Sequence, residues 1–193
     1  MGEPRILAIN HGECENRVVD WVKVRLNMGI EKYSKKNGTE AIRIENLPEL
    51  LKSKWLCGEQ NLHSKYKNLE YLSKENPRMP NLRIFTIMDT EYELAHSNRS
   101  YITGNMFNQC YFQGRMTAIY NAPNMDRVFE KADIGKVSCK KPSSYTDILD
   151  SYEVMDLYEK LNGREDSNLS VFLGYCLSTR PEYQNKIRQI CGC

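Results

Sequence analysis

Leu82-Arg83-Ile84-Phe85-Thr86-Ile87-Met88, followed at once by Asp89-Thr90-Glu91, is a mostly apolar run that turns acidic at its carboxyl end. A run this short and this apolar reads as a strand buried on both faces, as found inside parallel sheets. In open α/β sheets, ligands and metals sit just outside the carboxyl ends of such strands. Asp89 and Glu91 flank Thr90, so in extended backbone both carboxylates project to one side. Such a pair can hold a hard divalent cation.

Upstream, Ile6-Leu7-Ala8-Ile9 is a second short apolar run, and Asn10-His11-Gly12-Glu13 is the turn after it. From Cys14 to Asn27 the residues Val18, Trp21, Val22 and Leu26 recur at helical spacing, with Arg17, Asp20 and Lys23 outside. Glu13 and Glu15 suit the positive end of that helix. Gly29 to Tyr33 is expected as another strand, while Ala41-Ile42-Arg43-Ile44 alternates and leaves open a hairpin or a strand and a loop. Pro48 in a first turn marks a helix from Leu47 to Leu56, and Leu62, Tyr66, Leu69 and Leu72 mark a further helical stripe. Downstream, a strand is predicted at Thr117 to Tyr120. Helices are predicted over Met125 to Ala132, Ser144 to Leu161 and Asn168 to Ser178.

Strands that alternate with helices imply βαβ crossovers. The chain is therefore expected to be α/β, with a mainly parallel central sheet of about four strands flanked by helices. It should form one domain over 1–193 whose helical C-terminal extension begins near 143. A length of 193 residues supports one domain with a real core. The formal charge of +2, from 27 Lys and Arg against 25 Asp and Glu, requires any basic surface to be local. No apolar run reaches the ~20 residues needed to span a membrane, and the start of the chain lacks the layout of a signal peptide. The seven cysteines are odd in number and scattered, which fits reduced thiols in a cytoplasmic protein better than a disulfide framework.

Two strand ends carry the chemistry. His11-Gly12-Glu13-Cys14-Glu15 follows the first, and Asp89-Thr90-Glu91-Tyr92-Glu93 follows the middle one. Should these strands be parallel neighbours, Glu13, Glu15, Asp89, Glu91 and Glu93 emerge on one edge of the sheet. Like charges so gathered repel, and a bound cation relieves the repulsion, which points to Mg²⁺ or Mn²⁺. Gly12 fits a tight strand-to-helix turn, and the helix after it is expected to face an anion such as phosphate.

The segment Ile6-Leu7-Ala8-Ile9-Asn10-His11-Gly12-Glu13-Cys14-Glu15 is similar to the Toprim domain's hydrophobic strand followed by Glu-Gly-x-Ser-Glu. Ile84-Phe85-Thr86-Ile87-Met88-Asp89-Thr90-Glu91 resembles the same family's hydrophobic strand followed by Asp-x-Asp. That domain occurs in topoisomerases, primases, OLD-type nucleases and small RloB-like proteins of bacterial defence islands. The resemblance covers about the first half of the chain. It implies a Rossmann-like Toprim fold and a Mg²⁺- or Mn²⁺-dependent nuclease or phosphotransfer protein acting on DNA or RNA in phage defence, with a partner ATPase in some cases. It also implies Asp89, Glu91 and Glu13 as metal ligands, and Glu13, His11 and Glu15 as the catalytic group. His11 occupies the position of the family's first glutamate. Either Glu13 or Glu15 takes over that role, or His11 does different chemistry, or catalysis is absent. A neutral imidazole can act as a base near neutral pH, but it is a poor magnesium ligand.

Lys140-Lys141-Pro142-Ser143-Ser144-Tyr145 offers two cations, hydroxyls and a ring for gripping a nucleic-acid backbone. Lys140 and Lys141 are the candidate phosphate contacts. Asp126 follows a predicted strand end, but its position suits a helix start. Phe107, Tyr111 and Phe112 are expected in core packing, with base stacking the alternative. Two other functions remain open on these residues: a non-catalytic nucleic-acid or partner-binding module, and a receiver-like fold with Asp89 as phosphoacceptor.

Overall fold

The computed structural model describes residues 5–73, 75–76, 78–90, 96–138, 140–141 and 143–191. Four strands form its sheet: β1 (Arg5–Asn10), β2 (Ile30–Tyr33), β3 (Leu82–Asp89) and β4 (Met116–Asn121). They lie in the order β2-β1-β3-β4, and every pairing is parallel. The two runs singled out in the sequence are therefore neighbours that point the same way, with Asn10 opposite Ile87. The β3–β4 register then sets Asp89 opposite Asn121.

Strand parity divides the core into two layers. Ile6 and Ala8 of β1, Phe85 and Ile87 of β3 and Ile119 of β4 face one layer. Leu7, Ile9, Leu82, Ile84 and Met88 face the other. The first layer is covered by α1 (Glu13–Arg25), α5 (Met125–Lys131) and the C-terminal helices α6 (Ser143–Leu149), α7 (Val154–Leu161), α8 (Leu169–Ser178) and α9 (Pro181–Cys191). The second is covered by α2 (Leu47–Leu51), α3 (Glu59–Lys65) and α4 (His96–Ile102), together with the loops around them. Tyr101 of α4 is fully buried, and its hydroxyl donates at 2.9 Å to the Ile119 carbonyl. The other edge of β4 is occupied by the segment before α8. Asn121 bridges Ser167, and the Asn168 side chain accepts from Tyr120 N and donates to Ala118 O. The edge strand is thereby kept from open pairing.

Several expected elements are shorter or split. The residues after β2 form no hairpin, because β2 pairs with β1 and Ile42 N is taken by the His11 carbonyl. The helix expected over 47–56 ends at Leu51 and resumes as a short 3-10 turn. The stripe Leu62–Leu72 is a helix only to Lys65. Tyr66 is extended, and Leu69 reaches the core on a turn closed by its N–H to Tyr66 O, leaving Leu72 exposed. The single helix expected over 144–161 is two. Glu153, with extended backbone, starts α7 afresh, and the Asp156 carboxylate accepts its N–H.

Cys57, Cys110 and Cys176 are free thiols as expected, but Cys14 is disulfide-bonded, contrary to the expectation of reduced cysteines throughout. Among the described residues no helix is long and apolar enough to cross a membrane.

Candidate functional site: an acid pair at the strand ends

Asn10, Asp89 and Asn121 end β1, β3 and β4 on the same sheet face as Ala8, Ile87 and Ile119, which follows from the two-residue period. α1 and α5 close over this spot. α1 enters directly from Gly12, which places its first turn above the strand ends. Glu15 turns inward, 1% exposed, and its Oε2 accepts the Gly12 N–H at 2.8 Å. Asp89 Oδ1 accepts the Met125 N–H at 3.1 Å, at the start of α5. Asp126, in the first turn of α5, accepts from the Tyr145 hydroxyl at 2.5 Å.

The electrostatics follow from burial. Desolvation drives the Asp89 carboxyl well above its ordinary range, the charge of Glu15 adds to the rise, and the Met125 N–H opposes it. Desolvation also raises Glu15, against the pull of His11 and of the Gly12 amide. Tyr145 is pushed up by burial and by its bond to Asp126. The Asn121 side chain donates to Asp89 and, like the Met125 N–H, opposes the rise, while three polar atoms around the pair are buried without a hydrogen-bond partner: Glu15 Oε1, Asn10 Oδ1 and His11 Nδ1. Buried polar atoms are rarely left so, and these three lie where β1 ends and α1 begins. The other atoms of the two asparagines are fixed. Asn10 Nδ2 donates to Asn16 Oδ1 at 2.8 Å, and Asn121 Oδ1 accepts from Ser167 Oγ at 2.9 Å.

Of the residues proposed from sequence, Glu15, Asp89 and His11 come together. Glu13 does not: its carboxylate pairs with Arg17 at 2.9 Å on the outer face of α1. The expected gathering of five carboxylates is reduced accordingly, and Glu91 and Glu93 lie outside the described residues. Among the described residues no group of three His, Cys, Asp or Glu side chains is placed to hold a metal ion. The Gly12 amide expected to meet phosphate is used by Glu15. Lys140 and Lys141 are exposed on a loop, but Tyr145 is fully buried and unavailable to a nucleic-acid backbone. Phe107 and Phe112 are core residues, and Tyr111 is exposed with its hydroxyl on Glu59. Sequence reasoning missed Asn10, Asn16 and Asn121, and read Asp126 only as a helix start. The signal available was a polar residue closing each apolar strand.

A strained loop seals the first turn of α1. Lys36, Asn37 and Gly38 have consecutive positive φ values of 45°, 58° and 93°. A Cβ on Gly38 would lie 2.6 Å from Asn16 Nδ2 and 2.9 Å from Glu13 Cα. Gly38→Ala is expected to cost about 2 kcal/mol or more, from left-handed backbone and from the clash. Gly163→Ala, also at positive φ but meeting nothing within 4 Å, should cost about half as much, the backbone term alone. Urea denaturation of both variants measures the difference.

No protein-family model, no curated protein and no solved structure matches this chain.

Proposed function

We propose that the chain is a Toprim-like, divalent-metal-dependent phosphotransfer protein, a nuclease acting on DNA or RNA. The observation that carries this reading is the pairing of buried Glu15 with half-buried Asp89, with the acceptors Glu15 Oε1 and Asn10 Oδ1 orphaned beside it. Oxygen atoms of this kind are what a hard cation takes, so the donor set fits Mg²⁺ or Mn²⁺. Asp89 and Glu15 would hold the ion, with Asn10 completing its protein ligands. Such an ion, when bound, stabilises charge on phosphoryl oxygens and lowers the pKa of a water. The chain's own residues do the rest. α1 keeps Glu15 from solvent, Asn16 fixes the Asn10 amide, and Met125 N–H orients Asp89. His11, with a buried Nδ1, is the group able to accept a proton beside Glu15.

The motif resemblance extends this reading to bacterial phage defence, with a partner ATPase as the accessory protein. Free thiols at Cys57, Cys110 and Cys176 fit a cytoplasmic setting; the disulfide at Cys14 does not.

A non-catalytic binding module is the second reading. It is favoured by His11 at the family's glutamate position and by the pairing of Glu13 with Arg17, which together leave few acids at the site. Calorimetric titration of Mn²⁺ into wild-type and Glu15→Gln protein tests the metal. Heat in the wild type and its loss in the variant is the expected result, and negligible heat in both overturns the site. Cleavage assays on DNA, RNA and tRNA then separate enzyme from module.

A further inference from the structure

A second constellation lies on the same rim, at the carboxyl end of β2. Tyr33 ends that strand, and its ring lies 5.0 Å from Trp55, which meets Tyr66 edge-on at 5.9 Å. The Lys65 ammonium sits over these rings, 3.8 Å from the Trp55 centroid and 4.3 Å from that of Tyr33. Burial lowers its pKa, with no carboxylate contributing. In front of the cluster is an open pocket of about 410 Å³, lined by Tyr33, Ser34, Asn37, Lys65, Tyr66 and Asn16. That volume falls in the range of about 300–1,000 Å³ usual for small-ligand sites.

Three features show this to be a built recess. Asn37, within the strained Lys36-Asn37-Gly38 run, lines it, and such strain persists only where the surroundings enforce it. Asn16 Nδ2 donates to Ser34 Oγ at 2.9 Å while Asn16 Oδ1 holds Asn10, so one side chain joins the pocket wall to the acid pair. Two strand spacings separate the end of β2 from that of β3, about 10 Å, a distance that a short run of nucleotides covers.

We propose that this pocket holds one nucleotide of a single-stranded nucleic acid, its base against the Tyr33 and Tyr66 rings that line it, both of which touch Trp55, and its phosphate on Lys65. The proposal rests on the functional reading above for the class of partner and adds where the strand lies. Aromatic rings and a cation that makes no ion pair among the described residues match a base and its phosphate, the ammonium moving from the Tyr33 ring to the phosphate as the base takes its place, and Ser34 and Asn37 offer polar atoms to the base edge. A cationic ligand would be repelled by Lys65, while Lys32, which also borders the pocket, is paired with Asp20. A bare anion would leave the rings unused.

The test is binding of labelled oligo-dT and oligo-rU by the full chain in EDTA at about 0.15 M salt, read by anisotropy and by tryptophan emission. The chain has two tryptophans, and Trp21 is 7% exposed within the core, so a change in emission reports Trp55. The wild type is expected to bind with altered emission. Tyr33→Ala and Lys65→Ala should weaken binding at least 10-fold while keeping the wild-type circular dichroism. Trp55→Phe should abolish the emission change. Lys186→Ala, on α9 and paired with Glu159, should bind as the wild type does. Absence of wild-type binding to both oligonucleotides overturns the proposal. So does unchanged affinity in folded Tyr33→Ala and Lys65→Ala, or an equal loss in Lys186→Ala. Because EDTA removes metal, failure here leaves the Mn²⁺ titration unaffected, and failure of that titration leaves this pocket standing.

Discussion

Asp89→Asn is expected to stabilise the metal-free protein at neutral pH by roughly 1–3 kcal/mol, while abolishing stabilisation by Mn²⁺. Both effects have one cause. Glu15 and Asp89 are desolvated and face each other, so their ionised forms oppose the fold. An amide at position 89 keeps an oxygen for the Met125 N–H and removes the charge. A cation that binds only the folded protein adds RT ln(1 + [L]/Kd), about 2.7 kcal/mol at a hundredfold excess over Kd, and this gain requires the carboxylate.

The pH dependence has a definite sign. A carboxyl whose folded pKa is raised gives stability that is full below the unfolded value and is lost as pH rises through the folded one. Relative to Asp89→Asn, metal-free wild type should therefore be less stable at neutral pH than at a pH near the ordinary 3.8 of the carboxyl. Acids with lowered values do not interfere in that window. Asp166, held down by the fork of Arg164, contributes fully above its ordinary 3.8 and loses its contribution only as pH falls further. Urea titrations of both proteins at the two pH values, with EDTA and with Mn²⁺, decide the matter. A variant that is less stable than wild type without metal, and equally stabilised by Mn²⁺, would refute the acid-pair site.

Phe172→Ala is expected to cost about 3–5 kcal/mol, a large share of the 5–15 kcal/mol that holds a typical domain together. Phe172 is fully buried in α8 and meets Phe85 of β3 edge-on, with ring centroids 5.2 Å apart. Phe85 also packs on Tyr175 at 5.3 Å. Truncation would leave a void between the C-terminal helices and the central strand, where neither layer can relax into it. Far-UV and near-UV circular dichroism should fall in one shared transition at a lower midpoint. Two separated transitions, with the sheet surviving the loss of α8, would mean that the C-terminal third folds apart from the sheet.

The two apolar runs that became β1 and β3, and the acidic character of the β3 end, were legible in the sequence because strand periodicity and burial are written over a few consecutive residues. Parity alone puts Asn10, Asp89 and Asn121 on one face once the strands run parallel. Which acid turns inward was not legible. Glu13 and Glu15 are about 200° apart around α1, and only the docking of that helix sends Glu15 to Asp89 and leaves Glu13 to Arg17. The position of α5 likewise brings Asp126 near the pair, and α6 then supplies Tyr145 to it. Tyr33, Trp55 and Lys65 carry no shared local pattern, and only the packing of α3 beside the end of β2 makes them a cluster. Repeats of two and of 3.6 residues are properties of neighbours in the chain. Desolvation, orphaned polar atoms and shifted acids arise between residues far apart in it, and so the tertiary structure alone decided them.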